Sequence, residues 1–126
     1  IVGHMDRIKI QNQGESFFKE SDPWYQDQVK QTLEAIWKSG AIVEVNTKGL
    51  YQKKLLTTYP SPWILELILK RGIPITLSSD AHHPDNLVNQ FPEVASSLRS
   101  IGFEKIKVLE KGDWMDASFD HMGVHL

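Results

Sequence analysis

Three proline-to-glycine intervals, each followed by an apolar run, constrain this chain more than any other feature of its sequence. Asp22-Pro23 reads as an N-cap and first helical position, and Gly40 stands where a left-handed residue would close the helix. Ser61-Pro62 and Gly72 repeat the pattern. Pro92 and Gly102 repeat it once more, after a short helical segment expected from Asp85. In the first interval Val29, Leu33, Ile36 and Trp37 share one face of a helix, and in the second Trp63, Ile64, Leu67 and Ile68 supply the apolar positions. The runs that follow, 41–45, 73–77 and 106–109, are almost continuously apolar, as strands covered by helices are. Such alternation predicts βα units around a parallel sheet. Ile1 and Val2 are compatible with the end of one more strand, while the tail after Gly112 has Trp114, Met115 and Phe119 but no clean period.

At 126 residues the chain is too short for a complete (β/α)₈ barrel, which takes about 250, yet long enough to bury a core. We expect one domain, or a piece of one, over 1–126. Ile1 already sits in an apolar stretch, so further sequence upstream is expected. A formal charge of −2 gives no basic surplus for nucleic acid or an anionic membrane. The absence of cysteine removes disulfides and thiolate sites, leaving His, Asp and Glu as metal ligands, and is compatible with a cytoplasmic location. No apolar run approaches the ~18 residues of a membrane span, and no leader pattern opens the chain.

In sheets of this kind chemistry gathers at the C-terminal ends of strands. The polar residues at three successive strand ends are His4, then Glu44 and Asn46, then Asp80 and His82. Asp80-x-His82 puts a carboxylate and an imidazole on one side of a strand end, where both can reach one divalent ion; the competing reading is a turn aspartate beside a surface histidine. His83 reads as a loop histidine, His4 alone as a satisfied polar residue or a ligand, and Asp6 as structural. Glu44 lies in an apolar strand and needs a buried partner, through a salt bridge to the helix layer or beside a ligand. Asn46 is the better candidate for touching a ligand, and Lys48 offers a cation two residues on. Trp24, Trp37 and Trp63 lie at helical positions and are assigned to core or helix packing. No phosphate-binding glycine loop, Gly-x-Ser-x-Gly elbow or His-Glu-x-x-His motif is present.

Taken in order, Gly3-His4-Met5-Asp6, Glu44-Val45-Asn46-Thr47-x-Gly49-Leu50, Tyr59-Pro60-Ser61-Pro62 and Ser79-Asp80-Ala81-His82-x-Pro84 resemble the polymerase-and-histidinol-phosphatase (PHP) superfamily, in its histidinol-phosphatase branch. Phe91-Pro92-Glu93-Val94 fits the same pattern, and the resemblance runs from Ile1 to about Gly112. It covers the C-terminal half of the family's domain; the His-x-His motif and bridging glutamate of the first half have no counterpart. The resemblance implies an α/β fold that is a partial (β/α) barrel of PHP type, with about four parallel strands and covering helices. It implies that His4, Asp80 and His82 are ligands to divalent metal ions (Mn, Zn or Fe, up to three in a complete domain), with Asp80 and His82 catalytic. It places Asn46 and Lys48 near the mouth of the site, with Lys48 or Lys9 meeting the substrate phosphate. The implied reaction is metal-dependent hydrolysis of a small phosphate monoester, L-histidinol phosphate, in histidine biosynthesis; from this chain alone a weak mononuclear site, or none, is expected.

Two other readings compete: a non-catalytic half-barrel acting as an assembly or binding module, and a PHP nuclease on DNA ends, which the mild acidity disfavours. Self-association is also expected, on the premise that a barrel missing its opposite wall leaves Ile42, Val43, Ile75 and Leu77 uncovered on their inward sides.

Overall fold

A computed structural model describes residues 1–126. Two short 3₁₀ turns, Arg7–Gln11 and Gln13–Glu15, precede helix α1 (Pro23–Ser39), strand β1 (Val43–Asn46), the single-turn helix α2 (Lys48–Tyr51) and helix α3 (Pro62–Arg71). Strand β2 (Ile75–Ser78), a 3₁₀ turn at Pro84–Asn86, helix α4 (Phe91–Ile101) and strands β3 (Lys105–Glu110), β4 (Asp113–Asp120) and β5 (Gly123–His125) complete the chain. The three long helices each begin with a proline in the first turn and end at a glycine, Gly40, Gly72 or Gly102, with φ of 69°, 67° and 119°. The N-cap side chains have other duties. Asp22 accepts the N–H of Lys19, and the Ser61 hydroxyl turns toward Glu20 and Lys9.

The fold is mixed α/β. β1 and β2 pair in parallel, Val43 opposite Ile75 and Asn46 opposite Ser78, and Val2 adds an isolated parallel bridge to Val43. β3, β4 and β5 form a separate antiparallel sheet joined by tight turns. β3 comes within 8 Å of β2 between Cα atoms, but its ladder runs to β4. The parallel ladder thus has fewer than the four strands expected: Val2 contributes a single bridge and β3 pairs only with β4. β4 escaped the sequence reading because exposed Trp114 and Met115 mask an alternation that becomes plain only at buried Ala117 and Phe119.

Alternation along β1 and β2 settles which face is which. Val43, Val45 and Ile75 point into a core with Leu33 and Ile36 of α1, Ile64 and Ile68 of α3, and Leu98 of α4. Each such side chain, fully buried, contributes about 1.5–3 kcal/mol relative to exposure. Val43 is 0% and Ile75 2% exposed, and Ile42 and Leu77 are half-buried, which corrects the expectation that these four lie uncovered. The register pairs Glu44 with Thr76 and Asn46 with Ser78 on the other face, so that side of the sheet is polar. Of the three tryptophans, Trp24 packs edge-on against Phe18 and Tyr25 at the start of α1 although 56% exposed. Trp37, 55% exposed, lies just past the edge of the stripe formed by Tyr25, Val29, Leu33 and Ile36, which corrects its assignment to packing. Trp63 packs edge-on to Tyr25 and donates its indole N–H to Glu20. No helix is long and apolar enough to cross a membrane.

Candidate functional site

The polar face of the parallel pair leads to a cluster at its C-terminal end. Glu44 anchors it: one carboxylate oxygen accepts the backbone N–H of His4 at 2.8 Å and the side-chain amide of Asn46 at 3.1 Å. A Cβ on Gly3 would come to 3.3 Å from that oxygen, so the glycine lets the His4 turn approach the strand. Glu44 was the residue whose importance the sequence understated. The signal available was parity, since it lies two residues before Asn46 and therefore on the same face.

Asn46 is completely buried, and its side-chain oxygen Oδ1 accepts the backbone N–H of Lys48 at 2.9 Å, fixing the start of α2. Its backbone exchanges hydrogen bonds of 2.7 and 3.1 Å with Tyr59, so the loop after α2 folds back onto the strand end. Gly49 is required for close packing, because a Cβ there would meet Leu55 at 2.7 Å. α2 then grips the loop after β2 with two side chains three residues apart, hence on one face of its turn. The Lys48 ammonium lies 3.1 Å from an Asp80 carboxylate oxygen and 3.0 Å from His82 Nδ1. The Tyr51 hydroxyl donates to the carbonyl oxygens of Ser79 and Asp80 at 2.9 and 3.3 Å. Asp80 has a φ of 49°, a left-handed conformation costly for a side-chain-bearing residue and held here by this grip. Sequence reading did not single out Tyr51, and nothing local marks it.

His82 Nδ1 has two neighbours with incompatible demands. Unprotonated, it accepts from Lys48; protonated, it donates to the Asp80 carbonyl oxygen at 2.9 Å. The ring is otherwise exposed, and His83 beside it pairs with Asp85 in the adjoining turn. The structure therefore brings together Asp80, His82 and Lys48 on one side and His4, Glu44 and Asn46 on the other, linked through the Asn46–Lys48 hydrogen bond.

Lys9 lies elsewhere. Its ammonium is buried, 3.1 Å from Asp6, and donates to Ser61 Oγ at 2.8 Å, Thr57 Oγ1 at 3.1 Å and the carbonyl oxygen of Thr58. Burial pushes the Lys9 ammonium down and the Asp6 carboxyl up from their ordinary values, each opposed by the charge of the other. With those contacts made, Lys9 has no donor facing the strand ends, and of the two lysines Lys48 is the one in the cluster.

No family model matches the chain. Across 115 residues it is 28% identical to the probable histidinol-phosphatase of Schizosaccharomyces pombe, a match covering 89% of this chain and 37% of that protein. Across 101 residues it is 29% identical to the probable histidinol-phosphatase of Deinococcus radiodurans, covering 80% of this chain and 35% of that one. The chain spans little more than a third of the length of these curated relatives. The likeness extends over most of the chain.

A carboxylate and an imidazole nitrogen meeting on one cation are donors suited to a divalent metal ion, and Asp80 and His82 do so around the Lys48 ammonium. No three His, Asp or Glu side chains of the chain converge in this way. The residues present thus supply two donors for one edge of a metal site, while the Glu44 contact fixes the backbone of His4.

Proposed function

We propose that this chain is the C-terminal part of a PHP-type, metal-dependent phosphatase of the histidinol-phosphatase branch, and that its half of the fold is a partial barrel whose polar face forms one wall of the active centre. The observation that carries this reading is the likeness to two proteins named probable histidinol-phosphatase over 89% and 80% of the chain. The strand-end cluster supports it, since a barrel enzyme works from that end. The substrate would be a small phosphate monoester, L-histidinol phosphate, consistent with a surface that carries no basic surplus.

In this reading Asp80 and His82 hold a divalent ion, Mn, Zn or Fe, together with His4 and donors contributed from outside the matched stretch. When bound, such an ion lowers the pKa of a water and neutralises phosphate charge. Asn46 fixes the first turn of α2 and so aims Lys48 at a phosphate oxygen, as a charge-assisted donor. Tyr51 holds the Asp80 loop in its left-handed turn. Glu44 orients the His4 turn through its backbone N–H.

The test is phosphate release from L-histidinol phosphate with Mn²⁺, Zn²⁺ or Fe²⁺, by the chain itself and by the S. pombe relative with its matching stretch replaced by this one. Metal-dependent release by the graft is the expected result. A graft that melts cooperatively yet releases no phosphate with any of the three metals would contradict the reading.

A further inference from the structure

We infer that Lys48 is a resident counter-cation that contends with a divalent metal ion for Asp80 and His82, so that loading of this edge of the site requires the ammonium to swing away. The inference rests on the reading of Asp80 and His82 as metal donors, and adds to it what occupies those donors otherwise. The ammonium lies 3.1 Å from Asp80 Oδ2 and 3.0 Å from His82 Nδ1. When Nδ1 carries no proton it accepts from the ammonium with the same lone pair a metal ion would take; when it carries one it donates to the Asp80 carbonyl oxygen, and the ammonium keeps Asp80 alone. In the first state carboxylate and imidazole are both directed at a single positive charge already supplied by the chain.

A metal ion and an ammonium cannot share those two atoms, because like charges a few ångströms apart repel strongly in a partly desolvated site. Lys48 is well placed to yield. Its head group is carried on a flexible four-carbon stem with one end fixed by the Asn46 contact to its backbone, and its side chain is 16% exposed, so a path to solvent exists. The released ammonium stays tethered to α2, beside the ion that displaced it. Metal entry and the freeing of a phosphate-binding cation thereby become one event.

The test is Zn²⁺ binding to the 126-residue chain, measured by competition with a chromogenic chelator and by the chemical shifts of the His82 ring. Removing the charge with Lys48→Met should tighten binding by about tenfold, a usual size for coupling between two ligands. Lys48→Arg, which keeps the charge and can pair with Asp80, should bind like wild type, and His82→Ala should weaken binding in both the wild-type and Lys48→Met backgrounds. If Lys48→Met binds no tighter while His82→Ala still weakens binding, the contention is overturned and the donor reading stands. If no variant binds Zn²⁺ with a shift of the His82 ring, the ammonium is not what keeps the ion from these two donors, and the contention is likewise overturned.

Discussion

Asp6 and Lys9, one helical turn apart, form an ion pair of 3.1 Å whose side chains are 1% and 6% exposed. The same Asp6 oxygen accepts the N–H of Ser61 at 2.8 Å, so the pair ties the turn after His4 to the start of α3. Breaking such a pair from one side costs far more than the pair itself contributes, because a buried charge is left behind. Asp6→Asn should lower stability by about 3–5 kcal/mol. The double change Asp6→Leu with Lys9→Met should recover part of that loss. Urea titrations of the three proteins measure it, and a single variant within error of wild type would show that Lys9 finds another counter-charge.

Glu34, at the surface of α1, is held below its ordinary value of 4.5 by hydrogen bonds first from Arg71 and then from Lys38. A depressed folded value means the contribution is present above the ordinary value and lost as pH falls through the folded one. Asp6 has the opposite sign. Raised from 3.8 by burial, it favours folding below that value and loses the contribution as pH rises through its folded value. Acidification should therefore cost wild type more than Glu34→Gln, read as the fall in urea midpoint between about pH 5 and pH 3. Equal falls would show that Arg71 and Lys38 do not hold the carboxylate.

The Tyr51 hydroxyl bridges two consecutive carbonyl oxygens of the Asp80 loop. Tyr51→Phe should cost about 1 kcal/mol, the usual net value of a hydrogen bond. Its amides at 80–82 should also exchange faster, with the β1 amides unchanged. Unaltered exchange in the loop would place the grip on Lys48 alone.

Gly49 faces Leu55 at a distance no Cβ tolerates. Gly49→Ala should destabilise by about 1–3 kcal/mol through overpacking. Adding Leu55→Ala should relieve most of it, and a thermal melt of both variants decides. A Gly49→Ala protein as stable as wild type would mean that the turn shifts freely.

What was legible in the sequence was local. The Pro–Gly intervals placed α1, α3 and α4, because caps and left-handed glycines act within a few residues. The runs at 41–45 and 73–77 became strands at Val43–Asn46 and Ile75–Ser78, displaced toward the polar ends where the ladder forms. Which face of the run at 73–77 is buried was not legible, since an almost continuous apolar run hides its own parity, whereas Glu44 and Asn46 mark it in the first strand. Asn46, Lys48, Asp80 and His82 were identified as site candidates by their strand-end positions and by resemblance, but the meeting of Lys48 with Asp80 spans 32 residues and no local pattern encodes it. Lys9 illustrates the converse. The resemblance offers it to the substrate phosphate, and only the fold reveals the four oxygens gathered around it.

The central claim is that the cluster at the ends of β1 and β2 is one wall of a phosphatase centre. Its most direct test is kcat/KM for L-histidinol phosphate, in the S. pombe relative carrying this stretch, with and without Asp80→Asn. If Asp80 holds the metal, as proposed, it is worth several kcal/mol in the transition state, so a loss of roughly 100-fold or more is expected at unchanged thermal stability. An Asp80→Asn graft hydrolysing the substrate at the rate of its parent would contradict the account.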